Sequence, residues 1–151
     1  MNGIMGMCIC NDRRWPETFR IMGLQGVELV MLGYNTPTLN SLSDDETFEI
    51  RMHHNHLCMQ AGAYQNACWV VGVAKAGNED GHELMAGSCI INPNGEIVAQ
   101  AETTDDELIV YDCNLDQCAF LKQTTFNFKA HRRIEHYGLI CSQIGAEPPQ
   151  E

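Results

Sequence analysis

Cys10 closes a short apolar run, Ile4 to Cys10, and Pro16 follows it where a first helical turn begins. Glu17, next in the chain, is favourable at a helix N-terminus. This spacing predicts a cysteine at the end of a strand with a helix N-terminus aimed towards its thiol. The partial positive charge there favours thiolate, the nucleophilic form. Arg13 and Arg14 push the same way, and a pair of guanidinium groups can also hold a substrate carboxylate in fork geometry. Parity puts Cys8 on the same strand face as Cys10, and a buried structural thiol is the usual fate of cysteine in apolar runs. The strand-end position and the two arginines favour Cys10 as the nucleophile.

The elements that must position Cys10 alternate between strand and helix. Residues 4–10 read as a strand. A helix beginning at Pro16 carries Phe19, Met22 and Leu24 and ends near Gly26. A buried strand follows over Val27 to Leu32, closed by Gly33, and Asn35-Thr36-Pro37 forms a loop. A long helix fits residues 47–66, with Phe48, Met52, Leu57 and Ala61 among its apolar positions. Trp69 to Ala74 and Gly87 to Ile91 read as strands. Asn92-Pro93-Asn94-Gly95 is a turn that returns the chain through Glu96 to Gln100 as a hairpin. Leu108 to Tyr111 has the pattern of a fifth strand, and residues 115–124 that of a last helix. A basic segment follows at His131, Arg132 and Arg133. Strands alternating with helices predict an α/β fold. The first strand reads as a central one with nothing before it to cover it.

Composition narrows the function. The chain has 151 residues, one domain's worth, and is 44% hydrophobic. Nine Lys and Arg against 20 Asp and Glu give a net charge of −11, which argues against a general nucleic-acid binder. A small anionic substrate stays compatible, because a few placed arginines suffice to hold one. The eight cysteines are irregularly spaced, and the opening MNGIMGMCIC lacks the basic start and small-residue cleavage site of a secretory signal. Free thiols in a reducing cytoplasm are expected. No apolar run is long enough to span a membrane.

His53, His54, His56 and Cys58 cluster on the long helix. His53/His56 and His54/Cys58 are spaced to share a helix face, but no third ligand stands at fixed spacing, which weighs against a metal site. One of these histidines acting as base to a cysteine nucleophile is an alternative of similar weight. Cys113 and Cys118 lack zinc-pair spacing and read as plain thiols. The acidic runs at 44–46 and 105–107 read as solvated loops.

The segment Gly6-Met7-Cys8-Ile9-Cys10-Asn11-Asp12-Arg13-Arg14-Trp15-Pro16-Glu17 resembles the nucleophile segment of the nitrilase, or carbon–nitrogen hydrolase, superfamily. Asn11 and the Arg13-Arg14-Trp15 run give it the form of the D-carbamoylase branch, the N-carbamoyl-D-amino acid hydrolases. The resemblance continues through Gly33-Tyr34-Asn35-Thr36-Pro37, Met59 to Asn66, the Gly87 to Glu96 hairpin, Asn127 to Arg132 and His136-Tyr137-Gly138. It implies an α-β-β-α sandwich of which this chain is the C-terminal half, occupying residues 1–146 and followed by a disordered acidic tail at 147–151. It further implies that Cys10 is the nucleophile and that Asn11, Arg13, Arg14, Asn35 and Thr36 line the substrate pocket, with the arginines on the carboxylate. The implied partner is a small N-carbamoyl amino acid, with no cofactor, no metal, no nucleic acid and no membrane. The full-length family is expected to be homo-oligomeric.

The same resemblance implies a glutamate that takes the thiol proton and activates water, and a lysine that stabilises the oxyanion. In the family both precede the cysteine. Here residues 1–9 carry no charged side chain, and Lys75, Lys122 and Lys129 all follow Cys10. The expectation is an inactive fragment of a larger enzyme, with bare sheet surface that drives poor solubility or association. The alternative is a catalytically dead interaction module that keeps the family's dimerising surface.

Overall fold

The computed structural model describes residues 3–39 and 46–149. Five strands form one mixed sheet in the order β1-β2-β3-β6-β7. Strands β1 (Met5–Ile9), β2 (Leu29–Tyr34) and β3 (Trp69–Ala74) run parallel. β6 (Cys89–Ile91) pairs antiparallel with β3, and β7 (Ile97–Gln100) returns antiparallel to β6 as the second arm of a hairpin. Parallel neighbours need crossover connections, and two helices supply them. These are α1 (Pro16–Leu24), between β1 and β2, and α2 (Phe48–Asn66), between β2 and β3.

Local chemistry sets the helix ends. Pro16 occupies the first turn of α1. The Thr47 hydroxyl accepts from the Ile50 amide at the start of α2, and Ala67 ends that helix in left-handed backbone. The helices pack closely because Gly62 faces the ring of Phe19 and Gly23 faces Asn66; a Cβ at either glycine would come within 2.7 Å of its neighbour. Phe19, Met22 and Met59 thereby reach Val30, Leu32, Val70 and Ile91, and this side of the sheet is the main core. In the hairpin, the Asn92 side chain accepts from the Asn94 and Glu96 amides, and Gly95 takes φ +82°.

The α/β reading holds, with corrections of detail. β1 lies at the sheet edge, not its centre. β2 runs on through Gly33 to Tyr34, because Gly33 pairs with both Ile9 and Val73. The buried face of α2 carries Arg51, Asn55, Met59, Gly62, Ala63 and Asn66, whereas Phe48 and Leu57 are exposed. Leu108 to Tyr111 is not a strand; the chain crosses the sheet there without ladder pairing, and Leu108 and Val110 point outward. A small hairpin, β4 (Asn78–Glu79) with β5 (His82–Glu83), was not expected. Nor were the short helices α4 (Phe128–His131) and α5 (Gly138–Ser142), which follow the expected α3 (Gln117–Gln123). Asp44 and Asp45 lie outside the described residues, as do the last two residues of the acidic tail.

The second face of the sheet is only partly covered. The segment leading to α3 crosses it near Trp69 and Ile90, fastened by Trp69 Nε1 donating to the Asn114 carbonyl at 3.0 Å. Lys122 of α3 donates to the Gly26 and Val27 carbonyls. Beyond this strap, Met5, Met7, Ile9 and Val73 are 45%, 78%, 69% and 58% exposed, an open apolar surface running along β1 to β3. The total accessible area is 10168 Å², whereas a compact monomer of this mass has about 7,700 Å². The excess is more than the roughly 800 Å² per partner that a stable interface buries. The expected result is association at micromolar concentration, seen by light scattering after size exclusion. Met7→Lys should shift the population towards monomer; a monodisperse wild-type monomer would contradict this.

Candidate active site

The chain turns sharply where β1 ends. Residues 10–14 form a single 3-10 turn that leads through Trp15 into α1. Cys10 takes φ +49°, left-handed backbone that costs a side-chain-bearing residue on the order of 1–3 kcal/mol. Two contacts impose it. The Asp12 carboxylate accepts from the Ile9 amide at 3.0 Å. The Arg13 guanidinium donates through Nη1 to the Cys10 carbonyl. Cys10 itself is half-buried and packs against the main core.

Arg13 is 1% exposed, and its guanidinium is committed to the protein. Besides the Cys10 carbonyl, Nε donates to Asn55 Oδ1 at 2.8 Å and Nη2 to Thr36 Oγ1 at 2.9 Å. Its plane lies 4.1 Å over the Tyr34 ring. Asn55 Nδ2 donates to the Tyr34 hydroxyl at 3.1 Å, and that hydroxyl donates to the Gly87 carbonyl at 3.0 Å. Burial pushes the Tyr34 phenol up to about 12, so it remains a neutral donor. The network joins the elbow, the end of β2 and the loop after it, the middle of α2 and Gly87 on the approach to β6.

Of the two arginines expected at a substrate carboxylate, Arg13 turns inward and Arg14 stays at the surface. Arg13 is a buried strut under the elbow and Thr36 one of its anchors. Arg14, Asn11 and Asn35 are exposed around it. Arg14 lines a cavity of about 320 Å³ between the elbow and α2, with His54, Cys58 and Gln65 on the opposite wall. Tyr34 and Asn55 are the site residues that sequence reasoning passed over. The signal for Asn55 was its place in the row Arg51, Asn55, Met59, Gly62, where polar groups share a helix face with core residues.

The other candidates disperse. His54 Nδ1 lies 3.2 Å from Glu46 Oε1, and His56 Nε2 3.3 Å from the Gly87 carbonyl. Among the described residues no three His, Cys, Asp or Glu side chains gather as a metal site. Among them, too, none hydrogen-bonds the Cys10 sulfur. Lys75 pairs with Glu79, and Lys122 holds backbone carbonyls. All eight cysteines are free thiols. Burial pushes Cys68 and Cys89 up to about 12 and, with the Asp12 charge adding, Cys8 to about 11. No helix among the described residues is long and apolar enough to cross a membrane.

Comparison with known proteins identifies what this elbow is similar to. The family profile described as carbon–nitrogen hydrolase matches residues 2–123. A probable nitrilase of Schizosaccharomyces pombe is 26% identical over 140 residues, covering 93% of this chain and 47% of the relative. An N-carbamoylputrescine amidase of Oryza sativa is 31% identical over 149 residues, covering 93% and 48%. The crystal structure of a carbon–nitrogen hydrolase from Helicobacter pylori superposes with a TM-score of 0.80 at 20% identity, covering 93% of this chain and 50% of that one. The chain therefore spans about half the length of the relatives it matches.

Proposed function

This chain belongs to the carbon–nitrogen hydrolase family, and from that premise we propose that Cys10 is the nucleophile in hydrolysis of an N-carbamoyl-D-amino acid. The observation that carries the reading is the Cys10 elbow: a half-buried thiol at φ +49° on a strand-to-helix turn, braced from beneath by Arg13. A strained turn of this kind holds a nucleophile clear of its own backbone. Arg14 supplies the charge for the substrate carboxylate, with Asn11 and Asn35 beside it, and Arg13 and Thr36 keep the elbow in shape. The related N-carbamoylputrescine amidases, by name, act on a carbamoyl group. Cys10 Sγ attacks the carbamoyl carbon, and a C–N bond breaks with loss of ammonia, which carries away the thiol proton. Water then cleaves the C–S bond of the resulting thiocarbamate, restoring the thiol and releasing an N-carboxy amino acid that loses carbon dioxide. One water is consumed, and the net products are the D-amino acid, ammonia and carbon dioxide. The glutamate and lysine of the family mechanism have no described counterpart beside Cys10, so this chain alone is inactive in the reading. The setting is a reducing cytoplasm.

A second reading is favoured by one specific observation, the open apolar face along Met5, Met7, Ile9 and Val73. On that reading the chain associates through the sheet and performs no chemistry.

Limited labelling with iodoacetamide at pH 8, mapped by mass spectrometry, tests the nucleophile. Cys10 should react ahead of Cys8, Cys68 and Cys89, whose raised pKa values keep them as neutral thiols at that pH. Since burial raises the last two to about 12, they should label only in strongly alkaline solution. Exposed Cys141 is the internal standard for simple accessibility. Labelling of Cys141 alone, with Cys10 untouched, would remove Cys10 from the mechanism.

A further inference from the structure

The basic segment after α3 has no part in the elbow, yet it builds a groove of its own. Residues Phe126 to Ile140 fold back against α1 and the end of α2, with Phe126 meeting Tyr64 of α2 edge-on at 4.8 Å. Two arginines meet in this groove. Arg20 of α1 lies 4.3 Å over the Phe128 ring, and Arg132 lies 5.1 Å over the Tyr137 ring. Stacking fixes each guanidinium while leaving its edge free to donate. Among the described residues, neither arginine makes an ion pair or a hydrogen bond. Burial first, and then the Arg132 charge, holds the Arg20 guanidinium below its usual pKa. Two like charges are thus kept together in a protein whose net charge is −11.

Two adjoining hollows share Arg20, Arg132, Tyr137 and Ile140. One, of about 270 Å³, reaches Asn127 and His131; the other, of about 440 Å³, runs over Ile21, Leu24 and Cys141. A polar, cationic end therefore opens into an apolar trough. Glu17 lies on the trough wall but pairs with neither arginine.

We propose that this groove is a binding site for a small amphipathic carboxylate, its oxyanion bridging Arg20 and Arg132 and its apolar body lying on Ile21, Leu24 and Ile140. A carboxylate accepts from two guanidinium edges at once, which neutralises the repulsion between them. The trough adds the apolar contact that distinguishes such a ligand from a simple ion. The site lies on the outer side of α1 and is independent of the chemistry at Cys10.

Calorimetric titration of the full chain with hexanoate, acetate and 1-hexanol tests it. Hexanoate should bind saturably and at least tenfold more tightly than either control, since acetate lacks the tail and hexanol the charge. Arg20→Gln and Arg132→Gln should each weaken hexanoate at least fivefold, and Glu17→Gln should tighten it by removing a nearby negative charge. Arg20→Lys and Arg132→Lys keep the charge but lose the fork, and should weaken it less than the Gln variants. In the wild-type chain the Tyr137 ring resonances should shift with hexanoate, a readout that needs no variant. Hexanol binding as tightly as hexanoate, hexanoate affinity unchanged in the double Gln variant, or no saturable binding at 20 mM with static Tyr137 signals would each overturn the proposal.

Discussion

Purified alone, the chain should show no measurable turnover of N-carbamoyl-D-amino acids, and activity should appear only when a separately supplied N-terminal half of a close relative is added. The family mechanism relies on a base that takes the thiol proton and a cation that receives the oxyanion. Around Cys10 the nearest charged groups have other duties: Asp12 holds the Ile9 amide and Arg13 holds the Cys10 carbonyl. Removal of a single oxyanion donor costs about a hundred- to a thousand-fold in rate, and loss of acid–base catalysis costs about as much. The two together place the lone chain below detection. In the complemented mixture, Cys10→Ala should abolish the recovered activity, while Cys68→Ala should leave most of it. Ammonia release measured by a coupled assay decides the matter. Robust turnover by the lone chain would redirect the search for a base to His54 and His56, the histidines nearest the elbow network.

The largest stability effect is expected at Arg13. Replacing it with Met keeps much of the aliphatic volume but leaves Asn55 Oδ1, Thr36 Oγ1 and the Cys10 carbonyl without the donor they share. Buried polar groups left unpaired cost about 1–3 kcal/mol each, offset in part because the desolvated guanidinium also disappears. A net loss of about 3 kcal/mol is expected from urea unfolding monitored by tryptophan fluorescence. Arg14→Met, at an exposed position, should stay within about 0.5 kcal/mol of wild type. Equal effects at the two sites would mean that the network contributes little to stability.

The contrast between these neighbouring arginines shows what the sequence makes legible. Elements whose signals are local were readable: Pro16 starts α1, Asn92 to Gly95 turns the hairpin, and the continuous apolar run from Trp69 forms β3. The segment around Cys10 was readable as a strand end. Its bracing was not, because Arg13 meets Asn55 across 42 positions of chain. Nothing in Arg13-Arg14 says which side chain turns inward. The same limit hid the end of β2. Gly33 reads as a stop, yet the strand continues because the ladder pairs Gly33 with Ile9 and Val73 and Tyr34 with Ala74. Leu108 to Tyr111 failed in the opposite sense. Its alternation is that of a strand, but it lies against the face of the sheet, with Ile109 packed near Trp69 and Ile90, and not along an edge.

The backbone at Cys10 sets two demands on one position against each other. A glycine there would adopt φ +49° without strain and should raise the unfolding free energy by about 1 kcal/mol. Cys10→Gly should therefore melt at a higher temperature than wild type while leaving no thiol at the elbow. On the proposed reading, Cys10 marks a point where stability and reactivity are in conflict, and cysteine is the residue that suits reactivity.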